Sequence, residues 1–230
     1  MSPPRDGAAA GPPGPTTGLR SASCTTTRRD GDHRVPAAAT APARVPSRPW
    51  TWLHQVHGAG VVTVRRPGEH AGAPADAAVT ATPGCVLMVR TADCAPIVLR
   101  AGDAVGVVHA GWQGLSAGVV AAAATALRVL DPRAPMTASV GPCIRAGCYE
   151  FGAADLDQIA ARWGATVRAT TLWGTPALDL VAGVRRALDE VGATTDDTAG
   201  CTACDDRWFS HRARAEPERF ATFAWLEAAP

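Results

Sequence analysis

Hydrophobic and polar positions follow no regular period before residue 49 and a clear one after it. Residues 52–64 read as strand, turn, strand, with Gly58-Ala59-Gly60 as the breaker. Residues 85–89 are a continuous apolar run, the pattern of a buried strand. Residues 97–100 and 105–108 form a predicted hairpin around Ala101-Gly102-Asp103, and the second strand ends at His109. A helix is predicted over 115–130, closed by Asp131-Pro132. A strand over 137–140 leads into Gly141-Pro142-Cys143, and a helix follows over 155–163. Asp179 is the predicted N-cap of a helix over 180–191, stopped by Gly192. Residues 220–226 are the last predicted strand. Strands and helices interleave while hairpins persist, which predicts an α+β domain over 49–230 with a mixed β-sheet covered by helices.

Residues 1–48 are compositionally distinct, with eight prolines and seven arginines among alanine, glycine and threonine. Such a segment buries too little apolar surface to offset its chain entropy and is expected to be mostly disordered. The exception is 23–29, whose threonine run suits an edge strand. The arginines read as a solvated tail rather than a nucleic-acid arm. The net charge of +1 sets up no field for nucleic acid or an anionic membrane. The most apolar stretch, 114–127, is shorter than the ~20 residues of a bilayer span. All 22 basic residues are arginine, which excludes Schiff-base lysine and Walker-type phosphate loops. Seven cysteines, an odd number, and no apolar leader in 1–48 point to a reducing cytoplasm. There the thiols are free or bind metal.

Three segments carry reactive side chains at strand ends: His54-Gln55-Val56-His57-Gly58, Thr91-Ala92-Asp93-Cys94-Ala95-Pro96 and His109-Ala110-Gly111-Trp112. Two imidazoles and a thiolate are a good zinc set, and three protein ligands leave a position open for water, as in catalytic sites. His54 and His57 compete for one place, because strand residues three apart point to opposite faces. The separations obey no local zinc-binding rule, so hydrogen-bonded core histidines and a buried cysteine are the competing reading. Cys143, Cys148, Cys201 and Cys204 are a rival set for a structural zinc, and Cys204 for a redox thiol. Plain buried cysteines are preferred for all four.

These motifs recur in order with Gly141-Pro142-Cys143-Ile144, Cys148-Tyr149-Glu150, Cys201-Thr202 and Phe209-Ser210-His211-Arg212. Over residues 50–227 the chain resembles the laccase-domain family, variously called multicopper polyphenol oxidase, peptidoglycan editing factor and purine nucleoside phosphorylase. The resemblance implies a single α+β domain shaped like bacterial toxin deamidases. It implies a metal, zinc before copper, on His57, Cys94 and His109. It also implies phosphorolysis of adenosine, inosine or methylthioadenosine and hydrolytic deamination of adenosine, with purine nucleosides and phosphate as small-molecule partners. Asp93 is the carboxylate to shuttle protons, with a hydrogen-bonded turn role as the equal alternative. Arg212 is the phosphate-binding cation, with Ser210 beside it. Tyr149 would stack on a base, and Trp112 pack in the core.

Two departures stand out. Gln113, an expected substrate contact, replaces the arginine that usually follows H-A-G-W, keeping hydrogen bonding without the charge. Thr26-Thr27-Arg28 keeps the T-T-R motif, whose arginine is an expected substrate contact, but a Pro/Ala-rich run replaces the pocket-walling segment that follows in the family. Three other readings stay open: a copper-dependent polyphenol oxidase, a cell-wall editing hydrolase with Cys94 as nucleophile, and a degenerate, non-catalytic nucleoside-binding member. Six histidines are few for several coppers, and His33, His70 and His211 are expected to lie outside the site.

Overall fold

The computed structural model describes residues 18–35, 41–197 and 200–228. In chain order the strands and helices are β1 (Leu19–Thr25), β2 (Trp50–His54), β3 (Val61–Thr63), β4 (Ala73–Pro74), β5 (Ala77–Thr80), β6 (Val86–Thr91), β7 (Ala95–Ala101) and β8 (Ala104–Ala110). Helices α1 (Trp112–Ala117) and α2 (Val119–Leu130) follow, then β9 (Met136–Val140), α3 (Ala153–Trp163), β10 (Arg168–Thr170) and β11 (Pro176–Leu178). The chain continues through α4 (Leu180–Glu190), β12 (Ala193–Asp197), α5 (His211–Arg214) and β13 (Phe220–Ala228).

The α+β expectation holds, with the strands divided between two mixed sheets. One runs β1-β13-β6-β2-β4 and the other β12-β9-β7-β8-β5-β3; β10 and β11 form a separate ribbon. Period-two burial explains the stacking. Along β6, Leu87 and Val89 face a core between the sheets, while Val86 and Met88 face a second core with Phe223 and Trp225. A strand buried on both faces reads as an unbroken apolar run. Along β8, Val105 and Val107 enter the inter-sheet core, whereas Ala104, Val108 and Ala110 meet the helices. The α2 face Val119, Val120, Ala123, Ala124 and Leu127 covers that side of the six-stranded sheet.

The predicted hairpin is present as β7 and β8, antiparallel from Ala101↔Ala104 to Ala95↔Ala110. The Asp179 side chain caps α4 by accepting from Ala182 N at 2.9 Å. The helix expected over 115–130 is instead two helices, parted at Gly118, whose φ of 89° is left-handed. The largest difference lies at the N-terminus. Residues 1–17 and 36–40 lie outside the described residues, but 18–35 and 41–48 are folded against the domain. β1 pairs with β13 over its whole length, so the expected edge strand exists with earlier bounds. The apolar β13 would otherwise be a bare sheet edge. Arg44 donates to both Asp30 oxygens at 3.0 and 2.9 Å, and Val45 and His33 are buried. Among the described residues no helix is long and apolar enough to cross a membrane.

Candidate metal centre and substrate cavity

Three elements deliver the predicted ligands to one point. His57 follows β2, Cys94 sits in the turn between β6 and β7, and His109 lies near the end of β8. One ligand atom from each falls within 4.8 Å of the others, with Cys94 Sγ 3.9 Å from His57 Nε2. Tetrahedral zinc with bonds of about 2.3 Å to sulfur and 2.0–2.1 Å to nitrogen spaces such donors about 3.6 Å apart. The set therefore fits a metal after a slight contraction. His54 lies on β2 and is exposed, outside the group.

Backbone geometry is adapted to this convergence. His57 has a φ of 58° and Asp93 one of 94°, both left-handed and both costly outside glycine. A Cβ on Gly111 would lie 2.9 Å from Cys94 Sγ and 3.0 Å from His57 Cδ2, so this position of the H-A-G-W motif has no room for a side chain. Gln55 donates to Arg90 O at 2.8 Å and accepts from Arg90 N at 2.9 Å, which fastens the His57 loop to β6.

Sequence reasoning missed the residue that organises the centre, Asp76. Its carboxylate is fully buried and accepts from the backbone N–H groups of Val56, His57 and Gly58 at 3.2, 3.0 and 2.8 Å. His109 Nδ1 donates to the same carboxylate at 2.8 Å, which leaves Nε2 for a metal. The available signal was a lone acid between Ala75 and Ala77-Ala78-Val79, since a buried charge needs several partners.

The charges of Cys94 and His109 strongly perturb one another. Burial acts to raise the Cys94 pKa, but the charge and hydrogen bonds of His109, then of His57, outweigh it and bring it down to about 6. Burial acts to lower that of His109, but the Cys94 charge and the Asp76 hydrogen bond outweigh it and raise it to about 9. The two shifts together favour thiolate and imidazolium over thiol and neutral imidazole. A metal requires thiolate and neutral imidazole. Zinc binding at this centre should thus release about one proton from His109 between roughly pH 6 and 9, with affinity rising about tenfold per pH unit. Calorimetric zinc titrations of the metal-free protein in buffers of different ionisation heat measure this release, with the Cys94→Ala protein subtracted. No difference in proton release at pH 7.5 would show that the Cys94–His109 pair holds no proton there, against the raised His109 value.

The centre lies in a cavity of about 490 Å³, within the range of small-molecule sites. Of the predicted substrate residues, Gln113, Tyr149 and Arg212 line it, as does Trp112. Arg212 lies over the Tyr149 ring at 5.0 Å and donates to Glu150 O at 2.6 Å. Burial holds the Tyr149 phenol protonated well above its usual range. Trp112 packs edge-on against Phe151, at 5.5 Å between ring centroids. Asp93 also lines the cavity, but Thr202 Oγ1 and Ser210 Oγ donate to its Oδ1 at 2.7 Å each, and Arg212 N to its Oδ2 at 2.6 Å.

Two predicted residues are absent from the cavity wall. Ser210 is fully buried and committed to Asp93 and to Ala213 N. Arg28 lies over Phe209 at 4.4 Å and donates to Glu216 at 2.8 Å and to Trp208 O. Conversely, His211 lines the cavity, although it was expected outside the site, and so do Arg34, Arg90 and Arg219. The last three sit outside any motif. Arg34 comes from the segment expected to be disordered, and Asp32 holds Arg219 N at 2.9 Å.

Comparison with known proteins gives the family and the fold. The family model described as multi-copper polyphenol oxidoreductase laccase matches residues 16–227. A purine nucleoside phosphorylase of Mycobacterium tuberculosis is 38% identical over 188 residues, covering 80% of this chain and 74% of the relative. One from Streptomyces coelicolor is 40% identical over 192 residues, covering 81% and 76%. The crystal structure of Neisseria meningitidis protein NMB0706 superposes with a TM-score of 0.73 at 25% identity, covering 92% of this chain and 95% of that one. The crystal structure of YlmD from Geobacillus stearothermophilus gives the same TM-score at 23% identity, covering 93% of each chain, and so shares the fold. A match over nearly the whole described chain, with relatives this similar, means that the protein belongs to the multi-copper polyphenol oxidoreductase laccase family.

Proposed function

We propose that the protein is a zinc-dependent purine nucleoside phosphorylase, acting on adenosine, inosine or methylthioadenosine. The observation that carries this reading is a metal-ligand triad in a cavity that also presents four arginines and two aromatic side chains. The relatives named purine nucleoside phosphorylases support it.

His57, Cys94 and His109 would hold the ion, which supplies Lewis acidity toward a substrate heteroatom. Tyr149 and Trp112 offer aromatic surface to the base. Arg212 orients phosphate, a task suited to a planar guanidinium donor, and Arg34, Arg90 and Arg219, which line the same cavity, add positive charge. In the reaction a phosphate oxygen bonds to the ribose C1′ as the C1′–N bond to the purine breaks. The base leaves with the bonding electron pair and takes up a proton, for which His211 is the imidazole in the cavity outside the triad. Asp93 acts as a positioning residue, tying the turn that bears Cys94 to Thr202, Ser210 and Arg212.

Hydrolytic deamination of adenosine, also implied by the resemblance, needs a proton carrier at the purine ring. Asp93 is the only carboxylate among the described cavity residues, and three hydrogen bonds occupy it. Phosphorolysis is therefore expected to be the faster reaction. Incubating the protein with adenosine and phosphate should yield adenine and ribose 1-phosphate in equal amounts, with less inosine. Lack of any base release by the zinc-loaded protein would overturn the proposal. Arg212→Gln keeps hydrogen bonding but removes the charge, and should raise the phosphate KM about tenfold, the scale of one charge-assisted hydrogen bond. An unchanged phosphate KM would remove Arg212 from this role.

A second reading has one observation in its favour. Cys94, His109 and Asp76 are arranged as a thiolate–imidazolium–carboxylate row, the layout of a cysteine hydrolase such as a cell-wall editing enzyme. In it His57 is only a secondary partner of the Cys94 sulfur, at 3.9 Å, whereas as a metal ligand it is indispensable, which separates the two readings.

A further inference from the structure

The molecule carries a second cluster of metal-binding atoms outside the cavity lining. The sulfurs of Cys148, Cys201 and Cys204 all lie within 4.8 Å of one another, and Cys148 Sγ is 2.9 Å from Cys204 Sγ. These are not the buried cysteines that the sequence suggests: Cys204 is exposed and the other two are partly so, leaving the group open to an ion from solvent. Cys143 does not join it. That residue is fully buried among apolar side chains and pairs with Cys201 through the backbone.

The surroundings of Cys201 are those of a ligand thiolate. Arg145 N donates to its sulfur at 3.4 Å, and the backbone N–H groups of Ala203 and Cys204 point to the same atom. Such donors favour the thiolate, the form that binds metal, and fix its orientation. Their hydrogen bonds outweigh burial and lower the Cys201 thiol. Burial, with the hydrogen bonds and charge of the two neighbouring sulfurs, pushes Cys148 up to about 12. Three sulfurs this close repel one another as anions, and a cation among them removes that repulsion.

We propose that Cys148, Cys201 and Cys204 bind a second zinc ion that staples the turn at 146–148 to the segment 201–204. Sulfur donors select a thiophilic ion, and tetrahedral zinc places thiolates about 3.8 Å apart, inside the span seen here. The staple would fix the back of the cavity from two sides. Cys148 immediately precedes Tyr149 and Glu150, which contact the Arg212 guanidinium. Cys201 immediately precedes Thr202, which holds Asp93. The ion is a structural element beyond the cavity's own metal, whichever reaction the cavity performs.

Metal analysis of the purified full chain, after zinc loading and removal of loose ions, tests the proposal. It should find about two zinc ions per chain, falling to about one in Cys204→Ser and, independently, to about one in Cys94→Ala. Because Cys204 is exposed, serine there is expected to fold. A second measurement does not depend on that variant. Cobalt(II) added to metal-free Cys94→Ala protein, whose cavity triad lacks its sulfur, should give the strong near-ultraviolet absorption of several thiolate–cobalt bonds. One zinc per chain in the unmodified protein, or cobalt without thiolate absorption, overturns the staple. So does a Cys148–Cys204 disulfide found by non-reducing mass analysis of protein purified under reducing conditions.

Discussion

His57→Ala is expected to remove one zinc ion per chain and to cut phosphorolysis by about a thousandfold, as far as Cys94→Ala does. The loss corresponds to roughly 4 kcal/mol, the several kcal/mol that a Lewis-acidic ion contributes to charge stabilisation. Equality of the two losses is the informative part. A three-ligand centre fails when any ligand is removed, so both variants should lose the same ion. A cysteine nucleophile activated by His109 and oriented by Asp76 uses His57 only as a secondary hydrogen-bond partner and would keep far more of its rate without it than without Cys94. A His57→Ala protein that keeps turnover while Cys94→Ala loses it therefore transfers the assignment to thiol chemistry. His57 is exposed, so the deletion leaves no core cavity. Its φ of 58° does strain alanine, and His57→Asn, a residue more tolerant of that region, separates backbone strain from ligand loss. Zinc content and the thermal midpoint are measured on each variant alongside the rate.

What the sequence disclosed and what it withheld divide along the range of the interactions. The β7–β8 hairpin and the Asp179 cap are set by neighbouring residues, and both appear where local rules place them. The split of α1 from α2 was missed because the apolar period runs across Gly118, while only the backbone records its left-handed turn. The candidate ligands His57, Cys94 and His109 are readable from their motifs, and the two sheets bring these three side chains together. Motif membership did not say which way a side chain points. Arg28 and Ser210 sit in motifs and serve the scaffold. Arg34 and Arg219 sit in none and reach the cavity because β1 joins β13 and Asp32 binds the chain just before that strand. Each end reads locally as a strand, but that the two pair across nearly the full length of the chain is written in neither.

Asp76 is the clearest instance of such a long-range role, and its replacement is the second large effect to expect. Asp76→Ala should destabilise the metal-free protein by roughly 3–5 kcal/mol, the cost of leaving a buried charge without its partner. The side chains of Asp76 and His109 are 0% and 4% exposed, so solvent cannot replace the lost contact. Three backbone N–H groups around His57 lose their acceptor in the same step. Asp76→Asn preserves shape and separates charge from packing. Its amide oxygen can keep the two donors of one carboxylate oxygen, but its NH₂ group opposes the other two. Zinc affinity at the cavity centre should fall about 10- to 100-fold, as when other carboxylates behind a ligand histidine are removed. The acid limb of stability should change too. Burial acts to raise the Asp76 pKa, but His109 and the backbone donors hold it below the ordinary value. Its stabilisation is therefore present above about pH 4 and is lost as pH falls through the lower folded value. Chemical unfolding of the metal-free proteins at pH 3 and pH 6 should show a larger stability gain toward pH 6 in the unmodified chain than in Asp76→Asn. Identical gains, together with unaltered zinc affinity, would reduce Asp76 to a spectator and leave the position of His109 unexplained.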